Sequence, residues 1–288
     1  MAAENGYSSD PPRRGTPEEG APEATFAELE RIVRRGETPP WLQRFVRTVG
    51  RGINEHAMIA EGDHVLVGVS GGKDSLSLAL ALSLRRWWLP IRYTVEAIHV
   101  DWREHALAAS DREALERYFT VIDVPLTSIP MSMFPPSFHG RFDCYLCARN
   151  RKRVLFEVAR DRGANLVAFG HHLDDIVETT LMNLCFRGEF ATMKPKQELF
   201  DGRLHIIRPL CRVTEEEIVR VTERLRLPVV SINCPLKEKN IRTVLKPMIR
   251  ELRRHNPRVR QNIYRSTANI NWDYLPGKID TIDTTDGS

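Results

Sequence analysis

The segment that most clearly carries chemistry is a glycine-rich loop at residues 70–75, which reads Ser-Gly-Gly-Lys-Asp-Ser. It follows an apolar run and opens a helical pattern, so backbone N–H groups and the helix N-terminus favour a phosphate anion there. The spacing differs from a Walker A motif, because Val67 occupies the first glycine position and Asp74 replaces the Ser or Thr. Lys73 adds a positive charge. A carboxylate repels phosphates unless a cation lies between them, so Asp74 indicates Mg²⁺.

A second polar segment, residues 170–175, reads Gly-His-His-Leu-Asp-Asp and also follows an apolar run. Two histidines and adjacent carboxylates at the end of a strand are typical of a metal or pyrophosphate site. Acidic residues at the start of a helix also complement the helix dipole. From the residues alone, a binding site and a helix start are therefore both open.

The cysteines supply a third candidate site. Cys144 and Cys147 form a Cys-x-x-Cys pair at a predicted helix start, a pattern shared by redox, zinc and iron–sulfur proteins. The pair does not follow the first strand of a small βαβ unit, as in thioredoxins, and the chain has no His-x-Glu of a zinc deaminase. It also has no second Cys-x-x-Cys for a structural zinc site. With Cys234, three thiolates suit a [4Fe–4S] cluster, whereas Cys185 and Cys211 are expected to be core thiols.

These segments need a framework that places them together. Short apolar runs alternate with helical patterns, which predicts an α/β fold with a parallel sheet flanked by helices. In such sheets ligands bind beyond the carboxyl ends of the strands, where these segments fall. The predicted strands are 64–70, 93–101, 125–131, 165–170 and 205–210. The predicted helices are 41–60, 73–86, 104–120, 146–162 and 173–186.

Composition shifts divide the chain into five segments. We expect a disordered tail at 1–24, an N-terminal helical segment at 25–62, a nucleotide-binding α/β domain at 63–235, a basic helical extension at 236–275 and a polar tail at 276–288. The chain has 288 residues, of which 42% are hydrophobic and 28% charged. No apolar run reaches the roughly 20 residues of a membrane span. Five cysteines in a chain of this length do not make a secreted disulfide framework, so we expect a cytoplasmic protein.

The loop Ser-Gly-Gly-Lys-Asp-Ser after a strand resembles the PP-loop of the ATP pyrophosphatases, which cleave ATP between the α- and β-phosphates. The resemblance extends, in order, through Cys-Tyr-Leu-Cys at 144–147, Gly-His-His-Leu-Asp-Asp at 170–175, Met-Lys-Pro-Lys at 193–196, Arg-Pro-Leu at 208–210 and a late cysteine followed by a basic helix. Together these motifs resemble the tRNA 2-thiocytidine synthetases (the TtcA family) over roughly residues 40–275.

The resemblance implies roles for individual residues. It implies catalytic roles for Lys73, Asp74 and Asp174, and cluster ligation by Cys144, Cys147 and Cys234. The implied ATP contacts are Ser70, Gly71, Gly72, Lys73, Asp74, Ser75, Val100, Gly170, His171 and Asp175. Members of that family have a Cys-x-x-Cys at the late site, whereas this chain has Ser231 at the position of its first cysteine.

The implied function is ATP-dependent thiolation of a cytidine in tRNA, with Mg²⁺ and a [4Fe–4S] cluster as cofactors. Basic residues after Cys147 and over 237–265 are expected to contact RNA phosphates, although a basic helix is often only a solvated surface. The implied partners are tRNA and a sulfur donor such as a cysteine desulfurase, and a homodimer stays open. Two alternatives remain: 2-thiouridine synthesis in tRNA, and a zinc-stabilised RNA-binding module with a vestigial ATP site.

Overall fold

The computed structural model describes residues 22–134, 144–230 and 242–275. The strands are β1 His64–Val69, β2 Thr94–Trp102, β3 Leu126–Met131, β4 Leu166–Ala168, β5 Lys196–Leu199 and β6 Leu204–Ile207. The α-helices of these ranges are α1 Pro22–Arg35, α2 Pro40–Glu55, α3 Lys73–Trp88, α4 Ala109–Val121, α5 Cys144–Asp161, α6 Leu173–Arg187, α7 Glu215–Arg224, α8 Arg242–His255 and α9 Val259–Ser266. No helix among the described residues is long and apolar enough to cross a membrane.

The strands form one sheet in the order β3-β2-β1-β4-β6-β5. All pairs are parallel except β5 with β6, so the predicted parallel α/β fold is confirmed. Strand β5 was not predicted, because its sequence Lys-Gln-Glu-Leu lacks an apolar pattern and it lies at the sheet edge. A tight turn through Phe200, Asp201 and Gly202, all at positive φ, returns the chain from β5 into β6.

The sheet is covered on both faces, as its apolar strands require. In β1, Val65, Val67 and Val69 pack into the larger core, which contains residues of α1 to α4 and α6 to α9. Leu66 points the opposite way, into a smaller core in which Val154 and Leu155 of α5 cover the sheet. Alternation along a single strand therefore assigns α3 and α5 to opposite faces of the sheet.

Helix α3 runs through the larger core and is buried on all sides from Ser75 to Arg85. Two tyrosines from neighbouring segments bind its backbone. The hydroxyl of Tyr118 donates to the Leu76 carbonyl at 2.8 Å, and that of Tyr93 donates to the Leu82 carbonyl at 3.0 Å. Because α3 begins directly after the 70–72 loop, these contacts hold the glycine-rich loop in place.

The N-terminal helices begin and end differently from the predicted ranges. Helix α1 begins at Pro22, so its first turn overlaps the range 1–24, and residues 1–21 lie outside the described residues. Helix α2 ends at Glu55 rather than at residue 60, because Ala57 takes a positive φ of 43° and turns the chain towards β1.

The C-terminal helices α8 and α9 are helical as predicted, but several of their cations are paired with carboxylates of α6 and α7. Arg260 is 5% exposed, and its Nη1 donates to Asp174 at 2.6 Å and to Glu216 at 2.7 Å. Arg253 also binds Glu216 at 2.6 Å, and Lys246 lies 3.2 Å from Glu215. These three basic residues attach the extension to α6 and α7. Arg250, Arg254, Arg258 and Arg265 are exposed, so RNA contact by this stretch stays a prediction.

We predict that Arg260→Met destabilises the fold by roughly 2–4 kcal/mol, since it leaves the carboxylates of Asp174 and Glu216 without their buried partner. The matched control is Arg254→Met, whose exposed pair with Glu251 contributes less than about 1 kcal/mol. Denaturant unfolding of both variants measures the difference. Equal losses would show that the Arg260 bridge does not hold the extension.

The same bridge predicts a pH dependence. Burial alone would raise the pKa of Glu216, but hydrogen bonds led by Arg260 outweigh burial and lower that pKa from 4.5 to about 2. A lowered carboxyl pKa stabilises the fold above the unfolded value, and this stability is lost as pH falls from about 4.5 towards 2. Stability measured across this window should fall less steeply in Arg260→Met than in the unsubstituted protein.

Candidate active site

The loops that follow β1 and β4 meet at the carboxyl edge of the sheet and enclose a cavity of about 230 Å³. Its walls include a group of the residues selected from the sequence: Ser70, Asp74, Ser75, Val100, Gly170, His171 and Asp175. The other members of the glycine-rich loop, Gly71, Gly72 and Lys73, lie between Ser70 and Asp74 in the chain. The two motifs that are about 100 residues apart in sequence thus form one site.

The glycine-rich loop is held by its own serines. Ser75 Oγ donates to the Gly72 carbonyl at 2.9 Å and accepts from the Ser70 amide at 3.3 Å. Gly71 has a φ of +77°, which L side chains rarely adopt, and its carbonyl accepts from the Val230 amide at 2.9 Å. The loop therefore has a defined shape at the N-terminus of α3, where backbone amides favour an anion.

Gly170 lets the second motif reach that loop. A Cβ at this position would lie 2.9 Å from the Asp74 carbonyl carbon and 3.0 Å from the Ser75 nitrogen. Both neighbours are backbone atoms in the first turn of α3, so neither can move aside cheaply. Only glycine fits between the end of β4 and the start of α3 without a shift.

Lys73 lies between two carboxylates. Its Nζ is 3.1 Å from Asp74 Oδ1 and 3.2 Å from Glu215 Oε1. Burial lowers the pKa of Lys73, but the carboxylates of Asp74 and Glu215 outweigh it and raise this pKa above its ordinary value. The lysine therefore stays charged, a state that favours an anion beside it.

His172 is buried beneath the cavity and is surrounded by acidic groups. Its Nε2 lies 3.4 Å from Asp175 and 3.9 Å from Asp74, and its Nδ1 lies 3.8 Å from Asp174. Asp74 Oδ1 is buried without a hydrogen-bond partner in the described residues, although Lys73 lies close to it. Such closely spaced carboxylates suit a cation as well as a lysine.

The adjacent residues Asp174 and Asp175 make different contacts. Asp174 Oδ1 accepts from Arg260 at 2.6 Å, and its Oδ2 accepts from the Glu215 amide at 2.8 Å. Asp175 lines the cavity, while its Oδ2 caps α6 by accepting from the His172 amide at 3.0 Å. Asp175 lies in the cavity wall, whereas Asp174 makes contacts within the protein, so ligand binding by Asp175 and a catalytic role for Asp174 both stay predictions.

Strand β2 contributes two wall residues, Ile98 and Val100. Val100 lines the cavity, whereas the flanking polar residues are used elsewhere. His99 Nδ1 lies 3.0 Å from the Val69 carbonyl, and burial lowers the pKa of this histidine. Asp101 forms a 2.8 Å ion pair with Arg112.

Helix α5 connects the cavity to the cysteine pair. Arg151 and Leu155, one turn apart, line the cavity, and Arg151 Nη2 lies 4.0 Å from the half-buried Cys147 Sγ. Cys144 is the first residue of α5, and Cys234 lies outside the described residues. The cluster ligand set therefore stays a prediction, and the described residues contain no group of three metal-ligating side chains.

The two remaining cysteines behave differently. Cys211 is fully buried, as expected for a core thiol. The same expectation for Cys185 was wrong, because this residue is exposed in the last turns of α6, where the helix leaves the core.

Two residues of the site were not selected from the sequence. The first is Glu215, which begins α7 and contacts Lys73. The Thr-x-x-Glu capping box at 214–217 indicates a helix start in the sequence, but it gives no sign of the contact between Glu215 and Lys73. The second is Arg151, which was predicted, with the other basic residues after Cys147, to contact RNA. Its spacing of four residues from both Cys147 and Leu155 indicates that all three lie on one helix face.

Comparison with known proteins agrees with this geometry. The family model of the PP-loop domain matches residues 43–231. A tRNA-cytidine(32) 2-sulfurtransferase of Burkholderia multivorans is 33% identical over 263 residues, covering 86% of this chain and 78% of that protein. The corresponding protein of Paraburkholderia phymatum is 32% identical, covering 88% and 77%.

Among solved structures, the U34-tRNA thiolase NcsA from Methanococcus maripaludis, solved with its [4Fe-4S] cluster, superposes with a TM-score of 0.62 at 20% identity. The match covers 90% of this chain and 82% of NcsA, which confirms the fold. On the strength of the matched domain and of relatives that are a third identical over most of their length, the chain belongs to the PP-loop family and, within it, to the tRNA-cytidine(32) 2-sulfurtransferases.

Proposed function

We propose that this protein uses ATP to adenylate cytidine 32 in the anticodon loop of tRNA and then replaces its C2 oxygen with sulfur, giving 2-thiocytidine. The observation that carries the proposal is that helix α5 contributes residues both to the nucleotide cavity and to the cysteine pair. Arg151 and Leu155 of α5 line the nucleotide cavity, and Cys147 lies one turn before Arg151 on the same helix. A helix that serves both sites brings ATP activation and sulfur delivery to one substrate.

In the first step the loop 70–75 and the N-terminus of α3 bind the phosphates of ATP. The C2 oxygen of the base attacks the α-phosphorus, and the bond to pyrophosphate breaks. Lys73 and the loop amides stabilise the negative charge that develops on the phosphates. Adenylation is needed because the carbonyl oxygen of a base is otherwise a very poor leaving group.

In the second step sulfur adds at C2 and AMP leaves with the original oxygen. A [4Fe–4S] cluster, when bound, would deliver sulfide from the sulfur donor to C2, and Cys144, Cys147 and Cys234 would hold the cluster. Cys144 is the first residue of α5, and Cys147 follows three residues later in its first turn. That end of a helix favours the thiolate form that iron requires.

Mg²⁺ would be held by Asp74 and Asp175, whose carboxylates both line the cavity. The Asp74 carboxylate lies 3.1 Å from Lys73 Nζ, so an ion bound there would share this carboxylate with the lysine. The ion would neutralise phosphate charge. A sulfur donor such as a cysteine desulfurase, a cytoplasmic location and a homodimer stay predictions of the family assignment.

We propose that the tRNA contacts a groove of about 920 Å³ between α5 and the β5–β6 turn, here called the α5 groove. Its cations are Arg149, Lys152, Arg153, Arg160 and Arg203. Glu157, the only carboxylate in its described lining, lies 3.6 Å from Arg153. This excess of positive charge suits phosphates.

The α5 groove also contains an aromatic pair. Phe156 and Phe200 meet edge to face with ring centroids 6.1 Å apart, and Phe200 is 55% exposed at a positive φ of 53°. An exposed ring among cations is the arrangement that stacks an unpaired base. The cations of this groove make no ion pair with another helix among the described residues, whereas Arg253 and Lys246 are paired with carboxylates of α7, so we propose the groove as the main RNA contact.

For the ATP reaction, we predict that Lys73→Ala lowers the rate of AMP and pyrophosphate formation by roughly 10² or more. Lys246→Ala is the matched control, because Lys246 also pairs with Glu215 but lies on α8 outside the cavity lining. Chromatography of labelled ATP with tRNA measures the products. ADP as the main product would contradict the PP-loop chemistry.

For the whole function, we predict that cells lacking the gene lose 2-thiocytidine from bulk tRNA, measured by mass spectrometry of nucleosides. The unsubstituted gene and Cys211→Ala should restore it, whereas Cys144→Ala, Cys147→Ala and Cys234→Ala should not. The anaerobically purified protein should hold about four irons, lost in these last three variants. Loss of 2-thiouridine instead would favour the uridine alternative, and zinc without acid-labile sulfide would favour an RNA-binding module.

For the α5 groove, we predict that Phe200→Ala weakens tRNA binding about tenfold, the scale of one lost base–aromatic stack. Phe190→Ala, an equally exposed ring outside the groove, is the control. Arg149→Gln should weaken tRNA binding. It should also reduce the slope of log affinity against log salt concentration by about one, as expected for the loss of one phosphate contact. Filter binding across salt concentrations measures both, and equal effects of the two phenylalanine variants would exclude stacking at Phe200.

A further inference from the structure

A second polar cavity, of about 690 Å³, lies between α2, α3 and α7. We call it the arginine pocket, after the five arginines in its lining: Arg44, Arg47, Arg51, Arg85 and Arg220. It belongs to the face of the sheet that α3 covers, whereas α5 and its cysteines cover the other face. Along α3, Arg85 is twelve residues from Lys73, or about 18 Å at the helical rise. The pocket is therefore separate from the ATP cavity.

Arg85 is the unusual member of the arginine pocket. Its side chain is only 5% exposed, and its Nε and Nη2 are buried without a hydrogen-bond partner among the described residues. Burial lowers the pKa of this guanidinium, as expected for a charge removed from water. A buried cation with unsatisfied donors destabilises a fold unless an anion binds it.

The backbone is shaped to admit this side chain. A Cβ on Gly50, which lies inside α2, would come within 1.8 Å of Arg85 Nη1. Glycine inside a helix costs about 1 kcal/mol relative to alanine, so its use here needs a reason. That reason is space for the Arg85 guanidinium against the helix backbone.

In the described lining of the pocket, five arginines face a single acidic residue, Glu217. Across the described ranges no carboxylate lies within ion-pair distance of any of the five arginines. Glu217, the acidic residue of the lining, already accepts from the Thr214 amide at 2.9 Å and from its hydroxyl at 3.0 Å. Arg44, Arg47 and Arg51 follow one another at helical spacing on the exposed side of α2.

We propose that the arginine pocket is a second phosphate-binding site, with Arg85 as the central ligand and the exposed arginines of α2 and α7 around the phosphate. The planar guanidinium presents paired donors that match two phosphate oxygens, which makes arginine the preferred partner for this group. The phosphate can belong to a small anion such as pyrophosphate, the product of adenylation, or to the backbone of a tRNA arm. The chemistry of the site is the same in both cases.

The test uses the full chain with the ATP cavity saturated by a non-hydrolysable ATP analogue, so that pyrophosphate cannot bind in that cavity. Inorganic pyrophosphate is titrated calorimetrically into the unsubstituted protein, Arg85→Met, Gly50→Ala and the control Arg31→Met, which removes an exposed cation of α1. We expect affinity to fall at least tenfold in Arg85→Met and Gly50→Ala and to be unchanged in the control. Gly50→Ala keeps every charge and displaces only the guanidinium.

Binding of tRNA to the same four proteins separates the sources of phosphate. If Arg85→Met and Gly50→Ala bind tRNA tenfold more weakly and the unsubstituted protein does not bind pyrophosphate, the site binds the RNA backbone. If these variants lose pyrophosphate affinity and bind tRNA as before, the site binds a free anion. Without any ligand, Arg85→Met should unfold at the same temperature as the unsubstituted protein or higher, since an unpaired buried charge is gone. Unchanged affinity for both probes in Arg85→Met, or a marked loss of stability without ligand, would overturn the proposal.

Discussion

The contact on which the site depends is the approach of Gly170 to the first turn of α3. It leaves no room for a side chain, since a Cβ would lie 2.9 Å from the Asp74 backbone. Through this contact the polar end of β4 lies against the phosphate loop, and Asp74 and Asp175 line one cavity. Without it the two motifs would each be an ordinary strand end followed by a helix.

A chain of ion pairs extends from this contact into the C-terminal helices. Arg260 binds Asp174 and Glu216, and Asp174 accepts from the first amide of α7. That places Glu215 3.2 Å from Lys73 Nζ. The position of Lys73 therefore depends on a buried arginine far along the chain, and part of the basic character of the extension is used in ion pairs with α6 and α7.

Helix α5 borders both the ATP cavity and the α5 groove. Its inner residues Arg151 and Leu155 line the ATP cavity, while Lys152 and Phe156 line the α5 groove. A helix presents different residues to different sides at successive positions, so a single element can contact the nucleotide and the RNA. The arginine pocket lies across the sheet from α5, which is why we treat it as a separate site.

The sequence by itself determined the parallel α/β fold, the phosphate loop, the second motif and the resemblance to the thiolases, because these depend on local spacing and hydrophobic alternation. It did not determine strand β5, whose polar sequence pairs only because β6 offers a free edge. Nor did it separate Asp174 from Asp175, or the inward Arg260 from exposed arginines of the same helices. Partners such as Glu215 for Lys73 are 142 positions away in the chain, and only packing of α3 against α7 brings them together. Local patterns specify elements, whereas the choice of partner for a charged side chain is made by tertiary contacts that no short segment encodes.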